Sequence, residues 1–213
     1  MTVTEIWYQG TENDWNRALE QYWSRVKPEN LRLEREMDSL DPQKVKTMTT
    51  EDFYDFLYHK YFVWKYTAKN RLATTRKQLI RYRTEPEAWE RLGLIHKRLF
   101  TLNPEDIESD LTLAHSIHGL GVAGASGLLS LLYPAYFGTV DQFVVAGLHQ
   151  VPDLVSNLPP NKKDRSLTIQ DGITLIIIFR QKAADLNRRF HTTSWTPRKI
   201  DMVLWTLRDD DTP

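Results

Sequence analysis

Two glycines next to a small, apolar segment are the residues of this sequence that most clearly suggest binding chemistry. Gly119 and Gly121 flank Leu120 after a segment with helical spacing, and the residues from Val122 to Leu132 suit a closely packed second helix. Because glycine tolerates positive φ, Gly119-Leu120-Gly121 could turn tightly between the helices and bring backbone N–H groups close to an incoming group. N–H groups at the start of the second helix would favour an anion such as phosphate.

The first carboxylate after this segment is Asp141. It follows Phe137-Gly138-Thr139-Val140 and comes just before a second apolar run, Phe143 to Leu148. An aspartate in front of an apolar helix commonly acts as an N-cap, because its side chain accepts unpaired N–H groups of the first turn. A capping position would also hold the carboxylate in place, so a structural role and a chemical role for Asp141 are compatible.

The segment from His118 to Asp141 resembles the helix-hairpin-helix DNA glycosylase superfamily, which includes 8-oxoguanine glycosylases and endonuclease III. The shared order is a helix, a Gly-x-Gly turn, a helix of small residues, and an apolar segment that ends in Val-Asp. The resemblance implies that the hairpin binds the DNA backbone through His118, Gly119, Leu120, Gly121, Val122 and Ala123. It also implies that Asp141 stabilises the positive charge that develops on the sugar as the base leaves.

Ala123 distinguishes this sequence from the members of the superfamily that also nick DNA. Those members carry a lysine just after the hairpin, and its amine forms a Schiff base with the sugar. Because Ala123 has no amine, the resemblance implies glycosylase activity without lyase activity. The chain has no cysteine, which excludes the four-cysteine iron–sulfur cluster of some glycosylases, and no cofactor is expected.

Basic residues are concentrated in two regions of a chain whose net charge is zero. Residues 1–57 hold 12 acidic and 7 basic residues, whereas residues 59–83 hold 8 Lys/Arg and no acidic residue. Residues 161–208 add 10 Lys/Arg against 4 acidic residues. The zero net charge alone argues against a general nucleic-acid binder, but the distribution predicts a polarised surface with one face suited to phosphate.

The first basic region contains the segment WKYTAKNR, residues 64–71. Basic residues interleaved with aromatic ones can neutralise phosphates and stack on bases. Four of the polar residues are predicted DNA contacts: Lys65, Lys69, Asn70 and Arg71. Three residues are predicted to form a wedge or pocket for an extruded base: Trp64, Tyr66 and Gln142. The alternative is that the aromatic rings fill the core and the cations are ordinary surface residues.

Two further groups of residues have both a structural and a functional interpretation. Arg198 and Lys199 begin a C-terminal helix that could simply close the core, or they could hold a phosphate near the cleft. Asp201 could pair with either cation, at little energetic worth if exposed. His115 and His118 could share a helix face, but no third ligand is evident and no metal site is predicted. His118 could instead contact a phosphate.

Helical periodicity predicts the elements that would position these residues. Helices are expected over residues 14–26, 31–40, 49–63, 72–83, 86–100, 103–118, 122–132, 143–150, 168–189 and 196–205. The β-branched run Ile173–Ile178 could form a buried strand, but its Thr/Asp start and the downstream segment favour a helix. Residues 1–10 are expected to be a loose lead-in, and residues 151–166 a loop.

We therefore predict an all-α fold with two helical lobes and a cleft near Asp141. Residues 1–213 are expected to form a single helix-hairpin-helix glycosylase-like domain, with residues 1–110 and 153–213 in one lobe and residues 111–152 in the other. Apolar residues make up 41% and charged residues 26% of the chain, which are ordinary values for a soluble protein. No signal sequence is evident and the longest apolar run is too short to span a bilayer, so a cytoplasmic protein without a membrane partner is expected.

The first function hypothesis is a monofunctional DNA glycosylase that hydrolyses the N-glycosidic bond of a modified or damaged base. Its partner would be DNA, with no obligate protein partner. The second hypothesis is a catalytically inert helix-hairpin-helix DNA-binding module. The third is a helical protein-interaction domain, on which Lys65, Lys69 and Arg71 would be ordinary surface residues. The sequence leaves open which base is excised, and whether the role is genome repair or attack on foreign DNA such as phage DNA.

Overall fold

A computed structural model describes residues 1–161 and 166–208. Every regular element in these ranges is helical, so the all-α prediction is confirmed. The α-helices are α1 (Val3–Gln9), α2 (Glu12–Arg25), α3 (Pro28–Asp38), α4 (Pro42–Lys46), α5 (Thr50–Phe56), α6 (Phe62–Lys65), α7 (Lys69–Thr84), α8 (Pro86–Arg98), α9 (Ile107–His115), α10 (Val122–Leu132), α11 (Gln142–Leu148), α12 (Ile169–Arg189) and α13 (Pro197–Thr206). None of the helices in the described ranges combines the length and the apolar character that a bilayer crossing requires.

One π-helical turn and one 3₁₀-helix also occur among these α-helices in the described ranges. A π-helical turn (Leu57–Tyr61) joins α5 to α6, within the region predicted as one helix over residues 49–63. A 3₁₀-helix (Pro152–Asn157) follows α11, inside the predicted loop over residues 151–166. Residues 162–165 of that loop lie outside the described ranges.

Side-chain caps and prolines explain where most of the helices begin. A threonine and an acidic residue form reciprocal capping boxes at α1, α2, α5 and α12: Thr2–Glu5, Thr11–Asp14, Thr49–Asp52 and Thr168–Asp171. Proline occupies the first position of α3, α4, α8 and α13, where its missing N–H costs no helical hydrogen bond. Residues Ile173–Ile178 lie within α12, so the helical prediction for this β-branched run is confirmed.

The amino terminus departs from the sequence-based expectation. Residues 1–10 are expected to be a loose lead-in, but Val3–Gln9 form α1, and the side chains of Val3 and Ile6 are 0% and 1% exposed. The capping box of Thr2 and Glu5 starts this helix. A helix of this length is too short to be stable alone or to show a helical period, so its burial against the rest of the protein stabilises it.

The helix α10 lies at the centre of the core. Every residue from Gly124 to Leu132 is buried, and α10 packs against α9, α12 and α13. A helix that is apolar on all sides requires neighbours on all sides. A Cβ at Gly124 would lie 2.5 Å from the hydroxyl oxygen of Tyr66, and a Cβ at Gly127 would lie 2.9 Å from that of Tyr61. The glycines of α10 therefore allow the end of α6 to approach it closely.

Candidate nucleic-acid site

A tight turn joins α9 to α10 where the sequence predicts a hairpin. Gly119 has a φ of +91°, in the left-handed region that favours glycine, and a Cβ there would lie 2.6 Å from the carbonyl oxygen of Thr75. Gly121 is the exposed N-cap residue of α10, and no side chain in the described ranges caps this helix. The first turn of α10, which contains Val122 and Ala123, therefore has the uncapped N–H groups that favour an anion.

Tyr66 holds this turn from the inside. Its hydroxyl donates to the carbonyl oxygen of Gly119 at 3.1 Å, and 7% of the residue is exposed. Burial raises the pKa of Tyr66 to about 12, although the charge of Arg71 and the N–H of Gly121 oppose the rise. The prediction of Tyr66 as a wedge or stacking residue is therefore corrected, because the ring is packed inside the protein and supports the turn.

His118 packs against α7 and α8 in the same turn. Its ring stacks on Tyr82 with centroids 4.3 Å apart, and its Nε2 lies 3.1 Å from Nη2 of Arg91. Its backbone N–H donates to the hydroxyl oxygen of Tyr82 at 3.0 Å. Burial lowers the pKa of His118, and the positive charges of Arg91 and Arg81 lower it further. The ring is therefore neutral at pH 7, and a phosphate contact made by it would be an uncharged one.

Three exposed polar residues begin α7 beside this turn: Lys69, Asn70 and Arg71. Asn70 accepts the backbone N–H of Arg71 on its side-chain oxygen at 2.8 Å. Within the described part of the chain, neither Lys69 nor Arg71 forms an ion pair. The helix α7 approaches the turn between α9 and α10, since the carbonyl oxygen of Thr75 would lie 2.6 Å from a Cβ at Gly119 and the charge of Arg71 acts on Tyr66.

Asp141 is the N-cap of α11, as its position in the sequence suggests. Its Oδ1 accepts the N–H groups of Phe143 and Val144 at 3.0 and 3.3 Å. Its Oδ2 lies 3.6 Å from Nζ of Lys65, and the two side chains are 20% and 11% exposed. The ammonium group of Lys65 therefore lies beside Asp141, and its predicted contact with a phosphate stays a prediction.

The extended segment before Asp141 is held by buried side chains from two helices. The N–H of Thr139 donates to Oδ2 of Asp201 at 2.7 Å, and the N–H of Val140 donates to Oγ of Ser126 at 3.0 Å. The hydroxyl groups of Ser130 and Thr139 lie 3.2 Å apart. Buried N–H groups need acceptors, so α10 and α13 together fix the backbone that carries Asp141.

A buried ionic network continues from this segment. Nη1 of Arg198 lies 3.1 Å from Oδ2 of Asp201, and its Nη2 lies 3.5 Å from Oε1 of Glu34. Glu34 also accepts the hydroxyl of Tyr22 at 2.5 Å and the indole N–H of Trp64 at 2.7 Å. Arg198 and Asp201 are 6% and 5% exposed. Of the two interpretations of Arg198, its burial fits a C-terminal helix that closes the core, because its guanidinium group is enclosed by these carboxylates.

The pKa values in this network reflect burial first and neighbouring charges second. Burial lowers the pKa of Arg198, but the carboxylates of Asp201 and Glu34 and the hydroxyl of Tyr22 together outweigh it, and the net direction is upward. Burial raises the pKa of Asp201, and Asp141 adds to the rise, whereas Arg198, the N–H of Thr139 and Lys65 oppose it. Removing either partner of such a buried pair typically costs about 3–5 kcal/mol.

The remaining predicted residues lie in different settings. Trp64 is half-buried and donates to Glu34, so its ring belongs to the edge of the network. Gln142 is half-exposed and follows Asp141 at the first position of α11. Lys199 donates from Nζ to the backbone carbonyl of Ser194 at 2.8 Å, which places its charge at the loop before α13.

The polar residues that hold Asp141 were the part of the site that sequence reasoning missed. Ser126 and Ser130 carry a readable signal, because two serines on one face of an otherwise apolar helix need buried partners. Glu34 carries a weaker signal as a charged residue on the buried face of α3, where Met37 is also buried. The pairing of Lys65 with Asp141 carries no local signal, since the two residues belong to helices far apart in the chain.

The structure thus pairs Lys65 with Asp141, joins Trp64 and Arg198 through Glu34, and places Lys69, Asn70 and Arg71 at the exposed start of α7. No group of His, Asp or Glu side chains suited to a metal ion is found among the described residues. Comparison of the chain with protein-family models, curated proteins and solved structures finds no match.

Proposed function

We propose that this chain is a monofunctional DNA glycosylase, which hydrolyses the N-glycosidic bond of a modified or damaged base. One observation carries the proposal: the consecutive residues Lys65 and Tyr66 contact Asp141 and Gly119, respectively. The partly exposed carboxylate of Asp141, which two backbone N–H groups fix in place, is therefore a neighbour of the turn whose N–H groups are uncapped. Phosphate binding at the turn would present the adjoining sugar to the carboxylate.

The proposed reaction uses Asp141 as an electrostatic group. As the bond between C1′ and the base nitrogen breaks, its electrons leave with the base and the sugar becomes an oxocarbenium ion. The carboxylate stabilises this cation, a water molecule adds its oxygen to C1′, and the proton that this water loses neutralises the departed base. Because two N–H groups already fix Oδ1 of Asp141, the charge needs little reorganisation during the reaction. Such a preorganised group is worth about 3–4 kcal/mol of barrier height.

DNA is the proposed partner, and its backbone would lie along the turn and the start of α7. The uncapped N–H groups of α10 and the side chains of Lys69, Asn70 and Arg71 would contact phosphates. Gln142, next to Asp141, and the exposed edge of Trp64 would border the extruded base. We propose that the cleft lies where α6, α10 and α11 meet, between the lobes expected from the sequence.

The proposal is tested with a panel of duplexes that carry damaged or naturally modified bases, followed by hot alkali, which cleaves abasic sites. Strand breaks that require alkali are the expected product. Asp141→Asn is expected to lower base release by about 10²–10³-fold while DNA affinity and fold persist, because asparagine is also a good N-cap. The matched control is Asp106→Asn, which changes an exposed capping aspartate of α9. Full activity of Asp141→Asn would contradict the catalytic assignment.

A second candidate is an inert DNA-binding module, and one observation favours it. Both carboxylate oxygens of Asp141 have structural partners, namely the N–H groups of α11 and the amine of Lys65. This candidate predicts salt-dependent DNA affinity and no abasic product on any duplex. A protein-interaction domain, the remaining alternative, predicts DNA affinity that does not change when Lys69 and Arg71 are replaced by glutamate.

A further inference from the structure

Lys65 is a charged side chain at Asp141 that the hydrolysis described above does not use. Its Nζ lies 3.6 Å from Oδ2 of Asp141, and 11% of its side chain is exposed. The ion pair with Asp141 offsets part of the desolvation cost of this ammonium group, and its exposed edge leaves it accessible to a ligand. An ammonium group beside Asp141 could donate a proton to a group that reacts at the same site.

The surroundings fix this ammonium group from several sides. Lys65 is the last residue of α6, where the helix dipole favours a cation. Its Cδ would lie 3.4 Å from a Cβ at Gly127, so its aliphatic stem runs along α10 at van der Waals distance. Asp201 also attracts its charge. The charged end of Lys65 is therefore held beside the carboxylate and at the edge of the solvent.

We propose that Lys65 is the general acid of the glycosylase, which protonates the base as it leaves. This inference rests on the proposed function. The bond between C1′ and the base nitrogen breaks, its electron pair goes to the base, and a proton moves from Nζ of Lys65 to the base. Asp141 stabilises the oxocarbenium ion, water adds its oxygen to C1′, and the proton released from that water returns to the neutral amine of Lys65. An acid and a stabilising carboxylate on one scissile bond are the two groups that glycoside hydrolysis generally requires.

The need for an acid depends on the charge of the departing base. A base that is already cationic, such as an N-alkylated purine, leaves as a neutral molecule and needs no acid. A neutral base leaves as an anion unless it is protonated, so an acid at Lys65 matters most for neutral bases. The enzyme is therefore suited to neutral modified bases.

The experiment compares Lys65→Met with the wild-type protein on two duplexes. One carries the neutral base that the wild-type protein releases best in the panel, and the other carries a fluorinated analogue of the same base, which is a better leaving group. Lys65→Met is expected to lose about 10²–10⁴-fold in rate on the first duplex and at least tenfold less on the second. The same loss on both duplexes, or no loss, would overturn the assignment.

Two further variants separate the charge of Lys65 from its acidity. Lys65→Arg keeps the positive charge beside Asp141 but is a much weaker acid, so it is expected to restore thermal stability and not the rate on the neutral base. Lys60→Met, on the π-helical turn, changes an exposed lysine that pairs with Glu36 and is expected to match the wild type. A full rate with Lys65→Arg would show that charge suffices and would overturn proton donation.

Borohydride treatment during the reaction separates an acid from a nucleophile. If the amine of Lys65 attacked C1′, reduction would trap a covalent protein–DNA adduct, and the general-acid assignment would be replaced. No adduct is expected. If the wild-type protein releases no base from any duplex, the proposed function itself fails. An active wild-type protein whose Lys65 variants keep full rates would refute the inference on Lys65 alone.

Discussion

Asp141 divides its two carboxylate oxygens between a helix and a cation. The N–H groups of α11 bind Oδ1, whereas Oδ2 faces Lys65 and the solvent edge. The preceding backbone is equally fixed, because Ser126 and Asp201 accept its buried N–H groups. Leaving one such donor without an acceptor costs about 1–3 kcal/mol. The position of the carboxylate is thus built into the core, as an electrostatic catalytic role requires.

Asp110 differs from Asp141, because it is a buried carboxylate whose desolvation is offset by few hydrogen bonds or opposite charges. It is 2% exposed, and its Oδ2 has no hydrogen-bond partner in the described ranges. Burial raises the pKa of Asp110 to about 6 and Asp106 adds to the rise, although Arg180 opposes it. An aspartate in an unfolded chain has a pKa of about 3.9. The native state therefore binds the proton more tightly, and the stability that this supplies is lost as the pH rises from about 4 to about 6.

We predict that Asp110→Asn stabilises the protein at pH 7.5 by about 1–2 kcal/mol and changes its stability little at pH 4. The free energy of unfolding in urea, measured at both pH values, tests this. Asp14→Asn is the control, because Thr11 lowers the pKa of this exposed aspartate and the variant should show the opposite pH trend. An equal gain from Asp110→Asn at both pH values would contradict the assignment.

At the scale of elements, the end of α6 connects the two halves of the candidate site. Lys65 is its last residue, and Tyr66 leaves the helix with φ −115° and ψ 80°. The change of backbone direction lets consecutive side chains reach different targets, namely Asp141 and Gly119. The π-helical turn just before α6 is a feature that frequently occurs at functional sites. The end of α6 is therefore in contact with both halves of the candidate site.

The two glycines of the turn between α9 and α10 are expected to differ in how well they tolerate a side chain. Gly119→Ala is expected to lower the free energy of unfolding by about 1–3 kcal/mol from backbone strain alone, and the Cβ would also meet Thr75. Gly121→Ala, with φ −80°, is expected to cost less than about 1 kcal/mol. No heavy atom of the described residues lies within 4 Å of the Cβ it would add, apart from its neighbours. Urea unfolding compares the two variants, and equal effects would exclude a special role for Gly119.

The helices were largely predictable from the sequence, because caps and periodicity are local. The cap of α12 at Thr168 and the start of α13 at Pro197 follow from residues within one turn. The helix α1 was not predicted, because its stability comes from burial of Val3 and Ile6 rather than from its own sequence pattern. Propensity and periodicity do not register such tertiary contacts.

Part of the site was predictable from the sequence. Residues in local motifs could be recognised, whereas residues whose role depends on tertiary packing could not. Asp141 stands out because a cap precedes an apolar run, and Gly119 because its neighbours are helical. The sequence leaves two interpretations of Arg198 open, because a cation at a helix start is usually exposed and its partner Glu34 comes from the other end of the chain. Which charges are buried depends on how helices pack, and helix periodicity alone does not specify that.

Over the whole molecule, many basic residues form hydrogen bonds or ion pairs with other residues of the protein. In the basic region of residues 59–83, Arg76 donates to the carbonyl oxygen of Tyr58, and Arg83 pairs with Glu51. The charge counted along the sequence therefore overstates the positive charge that is free to bind an anion at the surface. Lys69 and Arg71, which have no ion pair within the described ranges, carry the available charge next to the turn.

We predict that Lys69→Ala and Arg71→Ala each weaken DNA binding to a similar degree on every sequence. Each phosphate contact that is lost should reduce the slope of log K against log salt concentration by about 0.9, because one fewer counterion is released. Fluorescence anisotropy between low and moderate salt measures the slopes. Lys46→Ala, which removes one exposed positive charge from α4, is the control and should leave the slope unchanged. A slope that responds equally to all three variants would mean that net charge, and not this face, attracts DNA.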